Sequence, residues 1–174
     1  SDSVQAIGLR RRLASTSISL QSDDYRQVRA LVAQSPMEGG GGQSSREDYD
    51  AVGAYAFSDS TAGARQARLQ AQARESHSRG WQGSGTVRGF QSGQWLRLQQ
   101  APGATPPELL LVAVEHAGIN NLPTDLRRSL DDALGVAPID PADAALWQQA
   151  EATGYGNRFD AVDRTLPWRP LLQD

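Results

Sequence analysis

Chemistry in this chain would have to start from very few residues. An apolar run, Leu109 to Val114, stops at Glu115-His116, and the chain has only two histidines. A carboxylate beside an imidazole suggests a metal site or an acid–base pair. The run reads as a strand, however, and successive strand residues point to opposite faces. Glu115 and His116 therefore cannot share one metal ion or relay one proton. A working pair of histidines would need i,i+2 spacing on a strand or i,i+4 on a helix. The other histidine, His77, stands at the end of an Ala-rich segment with no second histidine near it. His116 is thus expected to make a structural hydrogen bond where the strand leaves its sheet.

Other candidate motifs are equally bland. "GSGTVRG" (83–89) has three glycines but leads into a strand, so it lacks the helix N-terminus that cradles phosphate. Its glycines suit close backbone approach or a bulge. No G-x-S-x-G elbow occurs. Asp131-Asp132 reads as a solvated helix surface, and Asp23-Asp24 offers no more than a second carboxylate pair. Arg10-Arg11-Arg12 reads as a solvated or partner-contacting stretch. Trp81, Trp95, Trp147 and Trp168 are too scattered to form a base-stacking array. No catalytic, cofactor-binding or metal-binding residue is assigned. No cofactor is expected, and the chain is expected not to be an enzyme.

Composition narrows the class. Among 174 residues, 39% are hydrophobic and 21% charged, a normal globular balance. The net charge of −3 favours neither nucleic acid nor an anionic membrane. All basic residues are Arg, which suits fixed, bidentate contacts at interfaces. The lack of Cys excludes disulfides, thiol catalysis and Cys-ligated zinc. No apolar stretch approaches the about 20 residues of a membrane span, and no signal-peptide core is present. The sequence starts without Met and has only Met37, as expected of a processed or excised piece.

The elements follow from periodicity. Residues 13–34 open with a strand pattern in which Thr16, Ile18 and Leu20 share a face. Residues 35–48, with four consecutive glycines, read as a flexible linker. Met37, this linker and the termini are expected to be the least ordered parts. Residues 48–57 read as extended chain or turn. Residues 58–80 give the clearest helix, capped by Ser58 or Ser60 and stopped by Gly80. Its thin apolar face is Ala64, Ala67 and Ala71, with Leu69 and Ala73 beside it. Three strands follow, at 80–90, 94–100 and 109–118. Gln91-Ser92-Gly93 is a hairpin-type spacing, and the third strand is apolar enough to be buried on both faces. An antiparallel meander is the economical arrangement. Two short helices are expected at 122–135 and 138–154. The first is capped by Thr124 and ended by Gly135; the second starts at Asp140-Pro141. Leu126, Leu130, Ala133 and Leu134 form one stripe, and Leu146, Trp147 and Ala150 another. A short strand and a Pro-punctuated tail close the chain. These residues alone describe a non-enzymatic, mostly β domain with a helical insertion.

The order of the motifs adds identity. "DYDAVGAY", "ARQARLQAQARES", "GSGTVRGFQSGQWLRL", "ELLLVAVEHAGINN" and "YGNRFDAV" with "LPWRP" resemble, in sequence, the VgrG spike family of bacterial type VI secretion systems (Rhs-element Vgr family). Val52-Gly53 stands where that family usually has Pro-Gly. The resemblance implies an α+β, predominantly β fold: a small antiparallel barrel-like sheet of the phage tail-hub type, with one packed helix and a helical insertion. It implies a hub-like β domain over 1–121 with a Gly-rich linker at 38–45, an insertion at 122–154, and a closing strand and tail at 155–174 leading toward a spike module. It further implies a structural hub in a homotrimeric spike, contacting the hexameric Hcp tube, baseplate components and an effector or adaptor. Such a protein assembles in the bacterial cytoplasm and is secreted by contraction. No nucleic acid and no stable membrane insertion are implied. Two alternatives stay open: a prophage contractile-tail hub, and a spike-associated effector-binding module using 122–154.

Overall fold

The computed structural model describes residues 2–25, 29–37, 46–100, 103, 108–135 and 140–171. The Gly-rich linker at 38–45 and nearly all of the loop at 101–107 lie outside the described residues. The fold is mostly β, with an antiparallel sheet curled into a half-barrel and a few helices. Contacts divide the chain into two compact units: Ser1–Gly8 with Trp81–Ala161, and Leu9–Gly80 with Val162–Asp174.

The first unit is built on a five-stranded sheet. Its strands are β1 (Val4–Arg11), β5 (Arg79–Gly85), β6 (Trp95–Arg97), β7 (Glu108–Gly118) and β8 (Tyr155–Asp163), in the order β1-β5-β8-β7-β6. The expected meander is therefore corrected. β5 and β6 are not neighbours, because β8 from the far end of the sequence lies between β5 and β7. β5 pairs with β8 from Trp81↔Ala161 to Gly85↔Asn157, and β6 pairs with β7 from Trp95↔Leu110 to Arg97↔Glu108. Gln91–Gly93 is a turn on the way to β6; Gly93 N donates to Leu111 O at 2.8 Å. The physical reason is burial. β8 carries Phe159, Ala161 and Val162, all buried, and a place inside the sheet keeps them covered. Phe159 and Ala161 join Leu109, Leu111 and Phe90 in one core, with Leu96 and Leu98 packed against it. The opposite residues of β7, Leu110 and Val112, are only half-buried, so that strand is not buried on both faces.

Three helical pieces follow β7: α2 (Thr124–Leu134), a 3₁₀ turn (Pro141–Asp143) and α3 (Ala144–Thr153). Thr124 does not cap α2; Pro123 is the capping residue and makes no side-chain bond. Gly135 ends the helix at φ +72°, a conformation that suits glycine. Asp140 caps the 3₁₀ turn by accepting from Ala142 N at 2.9 Å. Leu146 and Ala150 are buried with Ala117, and Trp147 packs beside them. Every described side chain of α2 is exposed.

The second unit holds a three-stranded sheet, β3-β2-β4, formed by β2 (Ser17–Asp24), β3 (Arg29–Pro36) and β4 (Glu47–Ala54). β2 pairs antiparallel with β3 but parallel with β4, so this sheet is mixed rather than purely antiparallel. Helix α1 (Ser60–Ser78) packs on β3 and β2. Ile18, Leu20, Ala33, Met37, Phe57, Ala67 and Ala71 form the core. Met37 was expected among the least ordered residues, yet it is 8% exposed. Its amide bonds to Thr16 O at 2.9 Å, and its long side chain fills the core beside Ile18 and Leu20.

Helix α1 differs from expectation in three details. Its cap is Asp59, which accepts from Ala62 N at 2.8 Å, not Ser58 or Ser60. It does not stop at Gly80; Arg79 is already extended and begins β5. Its buried residues are Gly63, Ala67, Ala71, Ala73 and Ser76, while Ala64 and Leu69 face solvent. Gly63 is buried because an added Cβ would lie 2.8 Å from the Phe57 ring and 3.0 Å from Ala33.

The Asp59 carboxylate is held below its ordinary pKa by the Ala62 amide, and secondarily by Ser58. A depressed folded value gives stability that is present above the unfolded pKa and lost as pH falls through the folded one. Asp59→Ala is therefore expected to lower Tm at neutral pH. The difference from wild type should shrink in acid as the wild-type cap protonates, which thermal melts across a pH series would show.

Candidate functional site

The two residues that first suggested chemistry are separated by the strand, as alternation requires. Glu115 binds the Arg158 guanidinium at 2.5 Å. His116, one residue on, places Nδ1 2.6 Å from the Tyr155 hydroxyl. The expected structural hydrogen bond at the strand exit is present. His77 also makes a local bond, donating from Nδ1 to Ala73 O at 2.8 Å within α1. Among the described residues no group of three or more His, Cys, Asp or Glu could hold a metal ion.

Two clusters are built around these residues, one on each face of β7 and β8. On one face, Tyr155 and Asn157 follow the i,i+2 spacing that puts them on a common side of β8. Asn157 is fully buried and donates from Nδ2 to Val87 O at 2.7 Å. Arg88 lies 5.1 Å from the Tyr155 ring centroid, within cation–π range. His116, Tyr155, Asn157 and the Val87–Arg88 segment are thereby tied into one node. Asn157 went unassigned in the sequence because a lone Asn signals turns more strongly than cores. Its signal was position: two residues before the buried Phe159.

On the other face, Arg158 is the hub of charge. Its Nη2 also reaches Asp143 at 2.9 Å, and its Nη1 donates to Ala142 O at 2.6 Å. Burial opposes its charge, but the Glu115 and Asp143 carboxylates together hold its pKa above the ordinary arginine value. The group stays ionised and ties β8 to β7 and to the 3₁₀ turn. Gln149 of α3 adds bonds to Gln5 Oε1 at 2.8 Å and to Gly85 O at 3.0 Å. A groove of about 730 Å³ on this face is lined by Gln82, Ser84, Glu115, Arg158 and Asp160.

The glycine motif serves packing. An added Cβ at Gly83 would overlap the Phe159 ring. One at Gly85 would lie 2.5 Å from Ser3 O, at the junction where Thr86 N donates to that same carbonyl at 2.9 Å. These positions admit close approach, as the sequence reading holds. The remaining candidates are surface groups. Asp131 and Asp132 are exposed on α2, Arg11 and Arg12 are exposed, and Trp95 projects from the edge strand β6. In the second unit, Arg74 of α1 pairs with Asp48 of β4, fastening helix to sheet.

Geometry of this kind defines a mostly β scaffold domain whose signature side chains bind strands to one another. The comparison with known families places it further: residues 1–122 match the phage tail baseplate hub (GPD) family, and the chain belongs to that family. Its role is that of a tail-hub structural protein. The match ends just past β7, so α2, α3 and β8 lie beyond it. No curated protein matches the chain.

Gly83→Ala is expected to destabilise the protein by about 1–3 kcal/mol through overpacking. Combining it with Phe159→Leu should recover part of the loss, because the two share one contact. Urea denaturation of the singles and the double tests this; strict additivity would contradict the packing role.

Proposed function

We propose that this chain is the hub portion of a VgrG-type trimeric puncturing spike in a bacterial type VI secretion system. It joins the spike to the Hcp tube hexamer and helps deliver effectors. It acts by assembly and force transmission, not by turnover. The spike is assembled in the bacterial cytoplasm and leaves by contraction, outward or into a target cell.

The observation that carries this reading is the tail-hub family match, together with motifs on both sides of its end. "HAGINN" closes the matched region, and "YGNRF" and "LPWRP" follow beyond it. His116 and Tyr155, from the first and second of these motifs, bond to each other. The hub role also suits the chemistry. Signature polar residues are spent on structural bonds, His116 to Tyr155 between β7 and β8 and Asn157 to the loop after β5, and arginines on fixed ion pairs. A prophage contractile-tail hub is the second reading, favoured by the same family match.

Deletion of the gene in its host, with Hcp measured in culture supernatant, separates the two. Loss of secreted Hcp, restored by complementation, is the expected result. Unchanged Hcp secretion, with the chain instead recovered in phage-tail particles, would establish the second reading.

A further inference from the structure

The segment between β7 and β8 leaves the sheet and returns to the point it left. Ile119 N donates to Gly154 O at 3.1 Å, so the two ends are bonded at the base. Gly154 ends α3 at φ +82°, a backbone state that suits glycine and turns the chain into β8. A segment closed at its base can lift without pulling β7 away from β8.

What holds the segment down is slight and largely polar. Leu146 and Ala150 of α3 are buried, but in a cluster of their own, apart from the core around Phe159. In that cluster the sheet contributes only Ala117; Ile119 and Trp147 belong to the segment itself. Fastening therefore falls to two polar side chains. Arg158 of β8 donates to Ala142 O at 2.6 Å and to Asp143 Oδ1 at 2.9 Å, both in the 3₁₀ turn. The Arg158 and Asp143 side chains are 35% and 37% exposed, so water competes for their bond. Gln149 of α3 donates to Gln5 Oε1 at 2.8 Å and to Gly85 O at 3.0 Å. It rests on Gly156 of β8, where an added Cβ would lie 3.0 Å from its Cδ.

We infer that the 3₁₀ turn and α3 act as a strap, opening as one unit from a sheet that stays folded. Its hinge is the Ile119–Gly154 junction, and its latches are Arg158 and Gln149. Opening of this kind takes less free energy than unfolding the sheet. When the strap lifts, Arg158 keeps Glu115 but loses Asp143 and Ala142. The groove that Arg158 lines then gains access to the Gly85 carbonyl that Gln149 had capped. The strap depends on neither the secretion reading nor the phage reading.

Amide hydrogen exchange of the full chain tests this. The amides of Gln148–Thr153 are expected to exchange roughly tenfold faster than those of β8, after correction for intrinsic rates. Asp143→Asn cuts one latch and Gln149→Ala the other, and neither touches the core around Phe159. Each is expected to speed exchange in α3 about two- to fivefold and to leave β8 unchanged. Low urea should speed the α3 amides together, as one unit. Exchange of α3 and β8 at one common rate, raised alike by both variants, would overturn the strap, because the two would then open only together. Residue-by-residue fraying of α3, with no shared urea dependence, would overturn it as well. Variants that leave α3 exchange unchanged would overturn the two latches.

Discussion

Everything in the first unit depends on one placement: β8 lies between β5 and β7. The Phe159 ring fills the space that Gly83 leaves by having no side chain. Its neighbours in sequence bind the strands on either side. Asn157 holds the Val87 carbonyl in the loop just after β5, and Arg158 holds Glu115 of β7. A central strand brought from the far end of the chain closes a long loop, which costs entropy. Burial of Phe159, Ala161 and Val162 and a set of oriented polar bonds offset that cost.

The same strand explains the economy of the signature motifs. His116 and Tyr155 look like catalytic residues when read singly. Together they fix the point where β7 ends and the helical segment begins. Glu115 and Arg158 do the equivalent on the opposite face, extending to Asp143 and Ala142. Polar side chains that satisfy one another specify register, because a one-residue slip would move each to the wrong face. Fixed register in the central strands suits the structural role of a tail-hub protein. Helix α2, by contrast, leaves Leu126, Leu130 and Leu134 exposed.

Much of the fold was legible in the letters. Alternation separated Glu115 from His116, and the structure bonds them to different partners. The Ala-rich helix, the two helices after β7, and the glycines of close approach all follow local rules. So does the turn at Gly135, where a positive φ needs a residue without Cβ. Two strands have no counterpart in the sequence expectations: β1, Val4–Arg11, and β3, Arg29–Pro36, which carries only weak alternation and whose tail falls in the glycine-rich stretch. The cap of α1 was misplaced by one residue, because Ser58, Asp59 and Ser60 are all competent caps and only the backbone path chooses among them.

What the sequence determined by itself was local: which segments extend, which coil, and which residues cannot act together. It also pointed to a phage-tail-hub-like protein, because an ordered set of weak motifs is more specific than any one of them, and the tail-hub family match supports that coarser reading. Tertiary structure decided the rest. It chose β8 over β6 as the neighbour of β5, turned Met37 from an expected linker residue into core, and joined two motifs through His116 and Tyr155. The reason is physical. Periodicity reports which face of an element is apolar, but not which other element will cover it. That choice is made by competition among all apolar faces at once, and only the folded chain records the outcome.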